Sequence, residues 1–217
     1  MTNKSRWNTA GALAAGLLTA GLLLHSPQGL AADKADKEDG LSDESKIKRG
    51  FEIAPVPLNL KGKNHALVGM GSYLVNAAGG CNDCHTWRKT TIPPNFGTNY
   101  EPGGDPFAGQ PEQIYRAGYL AGGRDFGPFF RSRNLTPDAS GTVTDGFATF
   151  KEIIRHGFDP DHLTPVLQVM PWPVYRNLTD NDLRAIYEYL TTIPCVDGNP
   201  GESFAHPDGG PTGRCGN

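Results

Sequence analysis

Three stretches of the chain set apolar residues at helical intervals. From Asn64 to Ala78, Leu67, Met70, Leu74 and Ala77/Ala78 recur three and four residues apart, and Gly79-Gly80 follows as a helix stop. From about Phe147 to His156, Phe147, Phe150, Ile153 and Ile154 share one face and Gly157 ends the pattern. The last is the strongest: Leu183, Ile186, Tyr187 and Leu190 fall at i, i+3, i+4 and i+7. Thr179 stands before it as an N-cap, with Asp182 three residues on as its capping partner. Acids in this first turn suit the positive end of the helix dipole, and Thr191-Thr192-Ile193-Pro194 closes the helix. No run of alternating β-branched residues occurs. The pattern predicts an all-α protein with long loops.

Outside these helices the polar pattern divides the chain further. Lys4 and Arg6 precede Ala10 to Leu24, a 15-residue run of Ala, Leu, Gly and one Thr, and small residues follow around Gly29-Leu30-Ala31-Ala32. This is the layout of a secretory signal peptide over residues 1–32, with cleavage after Ala31 or Ala32. At ~1.5 Å per residue the run covers about 22 Å, short for a ~30 Å hydrocarbon core; an uncleaved anchor is the alternative. Asp33 to Arg49 is dense in charge and reads as a solvated, mobile linker. Ile53 to Leu60 carries Pro55 and Pro57 and reads as an extended strap. The division expected is therefore a leader over 1–32, linker and strap over 33–62, a domain over 63–195 and a tail over 196–217.

Composition changes this picture little. The 28 glycines and 18 prolines gather in the middle and at the C-terminus, which favours long loops. Removing Lys4 and Arg6 from 20 basic residues leaves 18 against 23 acidic ones, a formal −5. Such a balance has no electrostatic footprint for nucleic acid.

Cys81-Asn82-Asp83-Cys84-His85 changes the picture entirely. It reads C-x-x-C-H, the attachment signature of a c-type haem. Two thiols two residues apart each add across one vinyl group of a porphyrin, and the adjacent imidazole becomes the proximal iron ligand. A structural zinc site would need further ligand pairs at short spacing. A thioredoxin-like motif would sit in a βαβ pattern, and a plain Cys81–Cys84 disulfide would leave His85 without purpose. Haem attachment to this motif takes place outside the bacterial cytoplasm, so motif and leader point together to the periplasm.

With a helix before C-x-x-C-H, a methionine in a downstream loop and a closing amphipathic helix, the chain resembles the class I c-type cytochromes. It is closer still to the monohaem cytochrome c domains in the cytochrome subunits of bacterial periplasmic dehydrogenases. Their motif strings stand here as Gly71-Ser72-Tyr73-Leu74, Cys81 to Thr86, Asn134-Leu135-Thr136-Pro137-Asp138, Phe150 with Arg155-His156-Gly157, and Met170-Pro171 with Leu178 to Leu190. The resemblance covers roughly Gly69 to Pro194 and implies a cytochrome c-like fold of about three to five helices around one haem. Those subunits often carry three haems; this chain has one C-x-x-C-H. Its acidic N-terminal segment and its Cys195–Cys215 tail also lie outside the pattern.

The sixth iron ligand decides the chemistry. Met170 stands in a loop stiffened by Pro171 and Pro173, and a thioether favours ferrous haem relative to a second histidine. Met70, on the helix before Cys81, suits packing. A histidine ligand and an open distal position are also compatible with the sequence. His156 reads as a surface residue at a helix C-terminus and His162 as a loop residue among carboxylates, while His65 and His206 lack partners at ligand spacing. Gly71 and Tyr73 are expected to meet Tyr187 or Tyr189. Trp87 and Trp172 are candidate haem-edge aromatics. Asn134 and Thr136, with Arg131 or Arg133, are candidate donors to the haem propionates. Cys195 and Cys215 are expected to pair in an oxidising compartment, at ~3 kcal/mol of stabilisation, with a redox-active pair as the lesser reading.

The function expected is that of a periplasmic monohaem cytochrome carrying single electrons, with Cys81, Cys84, His85 and Met170 holding haem c. Its donor would be a periplasmic dehydrogenase and its acceptor an oxidase or other redox protein. A peripheral membrane association through a partner is compatible with this reading. The alternative is a haem enzyme whose distal position opens to peroxide, nitrite or a sulfur compound.

Overall fold

The structure is a computed structural model, and it describes residues 43–90, 97–127, 130–139, 141–158, 166–197 and 215, all within one compact unit from Glu38 to Asn217. The proposed leader, residues 33–42, His162, His206 and most of the tail lie outside the described residues. Helix α1 covers residues 43–53, α2 His65–Tyr73, α3 Cys81–His85, α4 Gly146–His156, α5 Trp172–Tyr175 and α6 Asp180–Leu190. Strand content is slight: β1 (Arg88–Lys89) pairs antiparallel with β2 (Gly97–Thr98), and β3 (Asp125–Phe126) with β4 (Phe130–Arg131). The protein is mainly helical, as the patterning predicts. Among the described residues no helix is long and apolar enough to cross a membrane.

The first helix corrects the sequence reading. Residues 43–53 form α1, where charge density suggested linker as far as Arg49. Its apolar stripe is narrow, because glycine supplies part of it. A Cβ on Gly50 would stand 1.9 Å from the Gly69 carbonyl oxygen, and one on Gly69 would stand 2.7 Å from Ile47 Cγ2 and Phe51 Cε2. Backbone meets backbone at this crossing, and the Ser72 hydroxyl donates to the Gly50 carbonyl at 2.6 Å.

Helix α2 starts at Asn64, whose side chain accepts from Leu67 N. It buries Val68, Gly69, Met70, Gly71 and Ser72, and Val75 follows one turn on; of the expected stripe Met70 is buried, while Leu67 and Leu74 are only partly so. Its other side crosses α6, where a Cβ on Gly71 would lie 2.0 Å from Ala185 O and 2.7 Å from Tyr189 Cβ. The expected meeting of Gly71 with Tyr189 is thus met. Helix α6 carries the full capping box: Thr179 Oγ1 accepts from Asp182 N, and the Asp182 carboxylate accepts from Thr179 N. Its buried face is Leu183, Ala185, Tyr189 and Leu190. Each fully buried large side chain is worth about 1.5–3 kcal/mol, so this face carries much of the core.

Helix α4 packs near α5 and α6, burying Phe150, Ile153 and Ile154, and ends at Gly157 in the left-handed conformation, φ +64°. Its polar edge is tied to α6 through Asp180, which accepts from Arg155 Nη2 at 2.7 Å and Lys151 Nζ at 3.2 Å. Between strap and core, Asn59 N donates to Thr192 O at 2.8 Å. A polar thread also runs through the core. Tyr119 Oη lies 2.6 Å from Asn76 Oδ1 and 2.9 Å from Tyr189 Oη, and Asn76 Nδ2 reaches Tyr189 and Ser72.

Candidate haem site

After Tyr73 the backbone widens into a π turn, Leu74–Ala78, whose carbonyl at Leu74 accepts from Gly79 N at 2.7 Å. Such turns recur at functional sites because the extra residue redirects the chain. Gly80 then takes φ +59°, a conformation costly for other L residues, and α3 begins at Cys81. One helical turn sets Cys81, Cys84 and His85 on the wall of a cavity of about 290 Å³. Met170 lies on the wall of the same cavity and packs against the core. The remaining lining is mostly apolar, including Val75, Phe150, Ile154, Leu183 and Leu190.

Cys81 and Cys84 are not joined to each other. Burial, reinforced by Cys84, pushes the Cys81 thiol up to about 12. Burial also raises Cys84, against the opposing charge of Arg124. Burial lowers His85, and its hydrogen bond to the Arg133 carbonyl works the other way. That bond is 2.8 Å, from Nδ1–H to the carbonyl oxygen, and it leaves Nε2 with its lone pair. Two neutral thiols, a neutral imidazole with its orientation fixed and a thioether, all lining one apolar cavity, form the donor set that a covalently held haem requires. The residues present fit the group.

Two ties shape the cavity further. Tyr175 Oη, from α5, donates to Gly79 O at 2.6 Å and joins the Met170 side to the turn before Cys81. Behind the Arg133 carbonyl sits Gly122, φ +75°, where a Cβ would stand 2.7 Å from that oxygen. On the rim, Arg124 lies over the Trp87 ring at 4.7 Å and Phe126 at 5.2 Å, and donates to the Asp83 carbonyl.

Several expected roles move. Neither Trp87 nor Trp172 lines the cavity. Trp87 stacks against Gly97, and Trp172 covers Gly157 while donating Nε1–H to Leu167 O. Aromatic lining comes instead from Phe126, Phe130 and Tyr175. Arg131 and Arg133 line the cavity, and Arg131 is also paired with Asp125. Asn134 and Thr136 do not line it; both are buried and bonded to Val196. His156 is on the surface, 3.4 Å from Glu152. Cys195 and Cys215 form a disulfide. The Arg133 carbonyl left no trace in the sequence, since any residue supplies one.

Comparison with known proteins points the same way. The chain is 33% identical over 130 residues to the gluconate 2-dehydrogenase cytochrome c subunit of Pantoea cypripedii, covering 58% of this chain and 23% of that one. It is 34% identical over 143 residues to a subunit of the nicotinate dehydrogenase of Pseudomonas putida, covering 64% of this chain and 10% of that one. Against the alcohol dehydrogenase (quinone) cytochrome c subunit of Gluconacetobacter polyoxogenes it is 38% identical over 60 residues, 27% of this chain and 13% of that one. The match thus spans less than a quarter of each of these relatives. No family model and no solved structure matches the chain. The likeness to cytochrome c subunits of dehydrogenases, expected from the motifs, is present in the sequence comparison as well.

Proposed function

We propose that this protein is an exported, periplasmic c-type cytochrome that carries single electrons through one covalently attached haem. The observation that carries the reading is the meeting of Cys81, Cys84, His85 and Met170 on one apolar cavity. Cys81 and Cys84 would hold the porphyrin by thioether bonds, and His85 Nε2 and the Met170 thioether would ligate its iron. When bound, the haem supplies a one-electron ferric/ferrous couple. The chain's own part is to orient His85 through the Arg133 carbonyl, exclude water with the apolar wall, and hold the two ligands in place so that electrons pass without bond making. Charged rim groups at Arg131 and Arg133 are the candidates to meet the propionates.

By analogy with the relatives, a periplasmic dehydrogenase is the donor, and an oxidase or other redox protein the acceptor. Association with a membrane would come through such a partner. The test is made on protein exported from a host that attaches haem c. One haem per chain that survives denaturation, lost in Cys81→Ala/Cys84→Ala, is expected. The ferric protein should show a thioether-to-iron charge-transfer band that disappears in Met170→Ala. High-spin ferric haem with rapid cyanide binding in the unaltered protein would instead indicate an open distal position and sink the carrier reading.

A further inference from the structure

We infer that Asn134 is a positioning residue for the proximal histidine, acting through the Arg133 carbonyl, with the disulfide-tied Val196 peptide as its anchor. The inference rests on the haem reading above. The two ends of the Asn134 carboxamide are both engaged away from the cavity. Nδ2–H donates to Val196 O at 2.9 Å, and Oδ1 accepts from Thr136 N and Thr136 Oγ1, each at 2.8 Å. Val196 N returns a bond to Thr136 Oγ1 at 3.1 Å. Val196 directly follows Cys195, whose sulfur is bonded to Cys215. A closed circuit therefore links the tail to the peptide joining Arg133 and Asn134.

That peptide is the one whose carbonyl accepts from His85 Nδ1. On its flanks, Ser132 O accepts from Gly123 N at 3.0 Å and Leu135 N donates to Leu120 O at 2.8 Å. Between these two anchors the Asn134 side chain and the close approach of Gly122 hold the carbonyl's aim. A loop that only had to fill space would not bury an amide and a hydroxyl here, because each costs stability unless bonded. A firm Nδ1–H···O bond makes an imidazole a more basic ligand, which favours ferric iron and lowers the potential. Loosening the circuit should raise it.

The test uses the holoprotein and three changes: Asn134→Ala, Thr136→Val beside Thr136→Ser, and the pair Cys195→Ser/Cys215→Ser. Midpoint potential and the solvent-exchange rate of the His85 Nδ1 proton, followed by NMR, are measured on each. Asn134→Ala and Thr136→Val are expected to speed exchange at least tenfold. They should also shift the ferric/ferrous equilibrium about tenfold toward ferrous, ~59 mV for one electron. The serine pair should shift both readouts the same way by less, and Thr136→Ser should match the parent. If Asn134→Ala yields no holoprotein, the threonine pair decides by the same criteria. Variants that lose stability but keep parental exchange and potential would overturn the proposal while leaving the haem reading intact. A parent protein without haem would remove both.

Discussion

At Gly71 the α2–α6 crossing leaves no space for a methyl group, since a Cβ would sit 2.0 Å from a backbone oxygen that cannot swing aside. Alanine there would gain roughly 0.5–1 kcal/mol of helix preference over glycine. Forcing the helices apart costs about 1–3 kcal/mol or more, so overpacking wins. Gly71→Ala is expected to lower the unfolding free energy by a net ~1–2 kcal/mol or more, read as a lower midpoint in urea; an unchanged or raised midpoint would contradict the crossing. Side-chain identity alone also separates what was legible here. The thiols and imidazole of Cys81, Cys84 and His85 announce their chemistry by type and spacing, whereas the Arg133 carbonyl that orients His85 is backbone and carries no residue signature. Trp87 and Trp172 suggest a haem edge because large aromatics flank the ligands in sequence. Their rings are instead taken up by Gly97 and Gly157, contacts that only the folded loops create.

Among the elements, α4 and α6 were readable because wide apolar stripes and explicit end signals sit in their sequences. Helix α1 was not, because its contact face is built from Ile47, Gly50 and Phe51, with glycine standing where a large apolar residue would have marked the stripe. The short strand pairs are two residues long, below the length at which alternation can be seen. The tie between α4 and α6 gives a pH-dependent expectation. Hydrogen bonds from Arg155 and Lys151 hold the Asp180 carboxyl below its ordinary value. A carboxyl lowered on folding stabilises above its unfolded value and loses that contribution as pH falls through the folded one. Asp180→Asn should therefore lower the thermal midpoint near neutrality, and the gap from the parent should close on acidification below about pH 4. A gap that persists unchanged in acid would show that Asp180 acts otherwise than through its charge.

For the whole molecule, the distribution of ties matters more than any one of them. The motif turn, the Arg133 loop and the Met170 side come from distant parts of the chain, and each is bonded to another around the cavity rather than only to its own neighbours. Tyr175 is the clearest case, reaching from α5 to Gly79. On the proposed carrier reading, an electron leaving or arriving changes the charge in the cavity at once, while the surrounding atoms relax afterwards. The cost of that relaxation, the reorganisation energy, sets the rate when driving force is small. A hydroxyl that pins one wall of the cavity to the other restricts how far the walls drift between the two charge states. Tyr175→Phe, which keeps the ring and removes the clamp, should slow electron self-exchange several-fold at nearly constant midpoint potential. Equal self-exchange rates in parent and variant would assign that hydroxyl to stability alone.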